Sequence, residues 1–284
     1  MIIGDNKEEV IENIKKATEL EEFNKKVEVN DPNLSEEQRD EIIQKYLKRR
    51  KKITYMLNNR TARVIADTVS WSENKVSKIE GLENIKDIKT GAIITSNHFN
   101  PLDSLIIRKM TKKVGKKHLY IVAQETNLAM PGLIGYMMNY TDIIPISRKI
   151  SYIKHEFSDI IEEKLNKKHF ILIYPEQEMW FNYKKPRPPK PGAYYFAAKN
   201  NVPIISCFVE MVDTGEEETA EFNKLKYVLH VLPPIYPDKE KTHKENSKIM
   251  MEIDYRQKIE AYEKAYNKSL DYSFKYDDIA GLKI

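Results

Sequence analysis

From about Lys75 onward, short apolar runs alternate with stretches of helical period. This alternation constrains the fold more than any other feature of the chain. Ala92–Thr95, His118–Ala123, Asp142–Ile146, Phe170–Tyr174, Pro203–Val209 and Tyr227–Leu232 read as strands. Leu102 to about Val114, Gly132–Tyr140, Tyr152–Leu165 and Gly192–Lys199 read as helices, and Lys239–Leu270 as mostly helix. Strands alternating with helices predict an α/β fold, with a mixed, largely buried sheet flanked by helices.

An N-terminal helical segment precedes it. Val10, Ile11, Ile14, Ala17 and Leu20 lie on one face of an expected amphipathic helix from about Lys7 to Val27, broken by Asp31-Pro32-Asn33. Ser35-Glu36-Glu37-Gln38 is a capping-box pattern that opens a second helix through Ile42, Ile43, Tyr46 and Leu47. That helix carries the basic run Lys48-Arg49-Arg50-Lys51-Lys52, and a further amphipathic piece is expected from Arg60 to Val69. The expected division is residues 1–70 as the helical segment and 71–284 as the α/β domain. Basic residues beside Ile53, Tyr55, Met56 and Leu57 fit either an anionic membrane surface or a solvated helix face.

Composition narrows the function classes. Lys and Arg total 47 against 43 Asp and Glu, a net charge of +4, so global charge gives no reason to expect a nucleic-acid partner, and no recognised nucleic-acid module accompanies the basic run. One cysteine, Cys207, rules out a disulfide framework and suits a reducing, cytoplasmic compartment. No CxxC or His/Cys cluster suggests a metal site. The N-terminus lacks a secretory h-region, and no apolar run reaches the roughly 18 residues of a membrane span, so any membrane role is expected to be peripheral.

The stretch most suggestive of chemistry is Ser96-Asn97-His98-Phe99-Asn100-Pro101-Leu102-Asp103, directly after an expected strand. Histidine is suited to take a proton near neutral pH, and an ionised aspartate can hold its other ring nitrogen and stabilise the imidazolium. Asn100 as N-cap and Pro101 at the first helical position would put Asp103 in the first turn of a helix. The same spacing also fits an ordinary loop histidine near a first-turn acid. Arg148 and Pro175-Glu176-Gln177-Glu178 likewise follow expected strands, where ligand sites assemble in α/β sheets. The loop Met179–Pro191 mixes Trp180, Phe181 and Tyr183 with Lys184, Lys185, Arg187 and Lys190. It suits a membrane interface, a gate over a lipid-like anion, or a packed surface loop.

In combination these pieces resemble the glycerolipid acyltransferases, the PlsC-like group that acylates glycerol-3-phosphate and lysophosphatidic acid. Asn97-His98…Asp103 resembles the family's first motif, Asn-His-x4-Asp. Arg148 stands where the second motif ends, Tyr174-Pro175-Glu176 opens the third, and Val202-Pro203-Ile204 resembles the fourth. The likeness runs from about Val76 to Val209. The third motif departs from aromatic-Pro-Glu-Gly-Thr-Arg at Gln177, Glu178 and Met179, so its phosphate-holding arginine is missing.

The resemblance implies an O-acyltransferase with His98 as general base, oriented by Asp103; a non-catalytic lipid- or membrane-binding protein on the same scaffold is the alternative from another class. It implies an acceptor site of Asn97, Arg148, Pro175, Glu176 and Gln177, with Lys184, Lys185 or Arg187 as stand-ins for the lost charge. No bound cofactor or metal is implied; the co-substrate would be an acyl-CoA or acyl carrier protein thioester. The acceptor would be a lysophospholipid or, given the altered motif, a lysoglycolipid or glycan. The implied location is the inner face of the cell membrane, peripherally attached.

Overall fold

The computed structural model describes residues 6–29 and 34–283. Within them a seven-stranded sheet comprises β1 (Lys78–Glu80), β2 (Ala92–Thr95), β3 (Leu119–Gln124), β4 (Ile143–Ile146), β5 (Phe170–Leu172), β6 (Ile204–Glu217) and β7 (Asn223–Val231). The strand order is β1-β7-β6-β2-β5-β3-β4. Strands β2 to β6 run parallel, whereas β7 is antiparallel to β6 and β1 is parallel to β7. The sheet is therefore mixed, and β2 is central, with Ile93 level with Ile171 of β5 on one side and Ile204 of β6 on the other.

The helices are α1 (Lys7–Glu19), α2 (Glu36–Arg49), α3 (Ile53–Glu73), α4 (Ser104–Lys113), α5 (Gly132–Tyr140), α6 (Ile150–Tyr152), α7 (Ser158–Asn166), α8 (Gly192–Lys199) and α9 (His243–Tyr266). A π turn, Ile153–Phe157, joins α6 to α7. Strand side chains alternate between two cores. Ile93, Ile171 and Ile204 pack with α2, α7, α8 and α9 residues, and Ala92, Ile94, Leu172 and Ile205 pack with Ile106, Ile107 and Met110 of α4. Because both faces are covered, the central strands read as continuous apolar runs.

A third core joins the ends of the chain. Val10, Ile11, Ile14 and Ala17 of α1 pack against Trp180, Phe181, Tyr183, Phe222 and Ile279. Helix α1 stops at Glu19, short of the expected Val27, and the Asp31-Pro32-Asn33 break lies outside the described residues. Ser35 and Gln38 form the expected reciprocal cap of α2. Helix α3 is longer than its sequence signal because its apolar residues do not all face inward. Its buried stripe is Asn59, Ala62, Ala66 and Ser70, while Ile53, Met56, Leu57, Val64 and Trp71 are exposed. Strand β1 carries no apolar signal because it is a three-residue edge, and the outer half of β6 is exposed and polar. No described helix is long and apolar enough to cross a membrane.

Candidate active site

Strand β2 ends at Thr95, and the chain then turns through Ser96–Asp103 before α4 begins. His98 Nδ1 lies 2.7 Å from Asp103 Oδ2. The same oxygen accepts the backbone N–H groups of Phe99 at 3.0 Å and Asn100 at 3.3 Å. This corrects the expected helix start. Asp103 is the N-cap residue rather than a first-turn acid, and Asn100 instead accepts the Leu102 N–H within a tight turn. The turn curls the backbone around the carboxylate, and two backbone donors fix that carboxylate in place. With Nδ1 donating to Asp103, the lone pair sits on Nε2, which has no partner among the described residues. The His98 side chain is 22% exposed and that of Asp103 only 3%, so a buried carboxylate faces a partly exposed imidazole.

Glu176 and Arg187 brace this turn from β5's side. Both are buried. Glu176 accepts the His98 N–H at 3.3 Å and the Arg187 N–H at 2.9 Å, and pairs with the Arg187 guanidinium at 2.9 Å. Arg187 Nη2 also donates to the His98 carbonyl at 3.5 Å, and Nη1 to the Phe23 carbonyl at 2.9 Å. Glu176 thus holds the backbone of His98. Two further cations of this loop, Lys185 and Lys184, are engaged too, whereas Lys190 is exposed. Lys185 pairs with buried Asp278 at 2.6 Å, and Lys184 donates to the Asp277 carbonyl at 2.6 Å. The aromatics Trp180, Phe181 and Tyr183 are fully enclosed. A membrane-facing or gating loop is therefore excluded here, because its apolar side chains are already packed into the core with α1.

The remaining expected site residues are spread along the carboxyl ends of the strands. Asn97 is buried and uses both ends of its amide on the Val209 backbone, at 3.0 and 2.8 Å. Pro175 is buried, with its carbonyl accepting the Lys190 N–H at 2.8 Å. Gln177 is exposed and adopts φ +68°, the left-handed conformation that the motif's glycine would take without strain. Glu178 accepts from Gln124 at the end of β3, at 2.9 Å. Arg148 is exposed and follows β4, three strands from β2, or about 14 Å at ordinary strand spacing. A cavity of about 220 Å³ opens beside Asp103, lined by Asn74, Asn100, Lys224 and Tyr227 together with Glu73 and Glu218. The Asn100 side-chain N–H2 on its wall is buried without a partner among the described residues.

Two features escaped the sequence reading. Tyr174 stacks on the His98 ring, with centroids 3.9 Å apart, and its hydroxyl donates to Asp103 Oδ1. A second His–Asp pair, His118 with Asp142 at 2.9 Å, sits where β3 and β4 begin, at the opposite end of the sheet. There Arg63 lies 3.2 Å from His118 Nε2, so that nitrogen is blocked, whereas His98 Nε2 is open. Cys207 is fully buried, which pushes its thiol up to about 12 and leaves it a poor nucleophile. No group of three or more His, Cys, Asp or Glu among the described residues is placed to hold a metal ion.

A family model described as Acyltransferase matches residues 76–210. The chain is 25% identical over 167 residues to a chloroplastic 1-acyl-sn-glycerol-3-phosphate acyltransferase of Brassica napus, covering 57% of this chain and 45% of the relative. It is 26% identical over 170 residues to a chloroplastic 1-acyl-sn-glycerol-3-phosphate acyltransferase of Arabidopsis thaliana, covering 57% and 44%. The chain thus spans less than half the length of these curated relatives. Among solved structures it is similar to the 1-acyl-sn-glycerophosphate acyltransferase PlsC of Thermotoga maritima, with a TM-score of 0.49 and 18% identity over 75% of this chain and 81% of that one.

Proposed function

We propose, from the premise that residues 76–210 of this chain form an acyltransferase-family domain, that the protein moves an acyl group from a thioester to a lipid acceptor's hydroxyl. The observation that carries this reading is His98 held through Nδ1 by buried Asp103 with Nε2 open. Nε2 takes the hydroxyl proton as the acceptor oxygen attacks the thioester carbonyl. The C–S bond then breaks, and the leaving thiolate takes that proton from the imidazolium, which Asp103 has stabilised meanwhile. The donor is an acyl-CoA or an acyl carrier protein thioester.

The acceptor in the first reading is a lysophospholipid such as lysophosphatidic acid, with exposed Arg148 as its phosphate ligand. A bidentate guanidinium suits that group. A second reading is favoured by a specific observation. Met179 stands where the motif has arginine, and Lys184, Lys185 and Arg187 are already engaged. Glu73, Asp103 and Glu218 outnumber Lys224 on the wall of the cavity, a balance that disfavours a phosphate there. An acceptor rich in hydroxyls, a lysoglycolipid or glycan, avoids that repulsion.

The enzyme meets its acceptor at the surface of an anionic bilayer, on the cytoplasmic side in this proposal. Ile53, Met56, Leu57, Arg60, Val64 and Trp71 share the exposed face of α3, with exposed Lys51 and Lys52 at its start. Arg49 and Arg50 contribute less, since Arg49 lies over the Tyr140 ring and Arg50 pairs with Glu163. The Trp71 end lies beside the start of α4, where Ser70 donates to the Leu105 carbonyl.

The test is acyl transfer by purified protein, read by mass spectrometry, with both donor types and a panel of lysophospholipid, lysoglycolipid and glycan acceptors. Conversion of lysophosphatidic acid, lost in His98→Ala and weakened in Arg148→Ala, supports the first reading. Conversion only of phosphate-free acceptors supports the second. No product from any pair, or full activity in His98→Ala, overturns the mechanism.

A further inference from the structure

We infer that Tyr174 is a positioning residue for the His98–Asp103 pair, its hydroxyl pinning the carboxylate and its ring face clamping the imidazole. The inference rests on the catalytic role proposed for His98. Asp103 Oδ2 receives His98 Nδ1 and the two backbone N–H groups of Phe99 and Asn100. Oδ1 receives the Tyr174 hydroxyl at 2.5 Å. A carboxylate turns about a broad, two-fold torsion unless both oxygens are engaged. With both engaged, only Oδ2 faces the histidine.

The ring completes the arrangement. Tyr174 and His98 lie 14° from parallel with centroids 3.9 Å apart, so one face of the imidazole is closed and its tilt is set. Other groups that reach His98 grip its backbone. Glu176, from the loop after β5, accepts its N–H, and Arg187 donates to its carbonyl. Among the described residues, Asp103 and Tyr174 are the ones that hold the ring. Burial and the adjacent Asp103 charge push the Tyr174 hydroxyl well above the ordinary phenol range, so it stays protonated and donates. Phenylalanine would satisfy the aromatic position of the motif and keep the stack. The hydroxyl is what this chain adds.

Each donor to a carboxylate draws on its charge. Removing the Tyr174 hydroxyl leaves more of that charge for the His98 imidazolium, which is then favoured over the neutral base. The acid limb of kcat/KM therefore moves to higher pH in Tyr174→Phe, while kcat falls about tenfold, the scale of one hydrogen bond to a charged group. KM for both substrates stays within about twofold, since Tyr174 binds neither. Tyr174→Leu loses the clamp as well and drops kcat on the order of 10²-fold. A ring-fluorinated tyrosine at position 174, a stronger donor in an unchanged fold, moves the acid limb the other way.

The experiment combines these pH profiles, on the full chain, with the NMR resonance of the His98 Nδ1–H proton. That resonance shifts in Tyr174→Phe and shifts oppositely with the fluorinated ring. It needs no turnover, so it decides the positioning role even if His98→Ala retains activity and the catalytic reading fails. An unmoved resonance with unmoved acid limbs in both variants overturns the inference, including the case where kcat falls only because Tyr174→Phe is less stable.

Discussion

At the scale of single residues, Asp103 is held by four donors. Its two oxygens serve one side-chain ring, one phenol and two backbone donors. Asp103→Asn can still turn an oxygen toward His98 and the backbone, so the turn survives, but the charge facing the imidazolium is gone. We expect steady-state kcat to fall about 10²–10⁴-fold with little change in acceptor KM. Gln177 is a second residue-scale case. A side chain at φ +68° costs on the order of 1–2 kcal/mol, of which glycine's extra unfolded-state entropy returns part. Gln177→Gly should therefore raise the denaturant midpoint by a net stabilisation of about 0.5–1 kcal/mol. The sequence showed that a glycine was absent; only the backbone dihedral shows that the glycine conformation is kept.

At the scale of elements, the segment from Tyr174 to Pro191 is a brace and not a lid. Its ring of Trp180, Phe181 and Tyr183 fills the space between α1 and the end of the chain, and its buried Glu176–Arg187 pair grips His98's backbone. Arg187→Met leaves Glu176 as an uncompensated buried charge and should destabilise by about 3–5 kcal/mol, read from chemical denaturation. Adding Glu176→Met should recover most of that loss but not the activity, because the His98 N–H is left unheld. Helix α3 has the complementary role. Its exposed Leu57 and Trp71 touch no core, so Leu57→Glu and Trp71→Glu should leave the fold intact. Each should lower co-sedimentation with anionic vesicles roughly tenfold, the scale of one buried apolar side chain. Unchanged sedimentation would remove α3 from the membrane reading.

At the scale of the whole molecule, the strand order decides which expected site residues can meet. Strands β2 and β5 are neighbours, so His98, Tyr174 and Glu176 converge. Strand β4 lies at the far edge, so the backbone of Arg148 stands three strands away from that of His98. The opposite end of the sheet holds a separate titrating cluster. His169 is pushed down to about 4 from an ordinary 6.5, first by burial and then by the nearby His118 and Lys164 charges. Its folded value lies below its unfolded one, so the unfolded chain binds the proton first. The stability that follows from this is present in full above about pH 6.5 and is lost as pH falls toward 4. The denaturation midpoint should drop across that window and drop less in His169→Phe. Glu163, with burial outweighed by hydrogen bonds from Lys164 and Lys167, sits at about 2 and titrates below the window.

The strand and helix alternation, the two-sided burial of the sheet and the Asn97-His98…Asp103 turn were all written in the local order of residues, because side-chain period and turn chemistry are short-range properties. Three things were not. The aromatic, basic loop reads the same whether it faces lipid or core, and its partners Val10, Ile14 and Asp278 are far away in sequence. The α3 stripe reads as an ordinary amphipathic helix until it is known which face is covered. Tyr174 reads as the aromatic that opens the third motif, and its partners appear only when the fold lays it on His98 and Asp103. In each case the deciding contact joins segments that only the folded sheet brings together, so its energy has no signature in any short stretch of the chain.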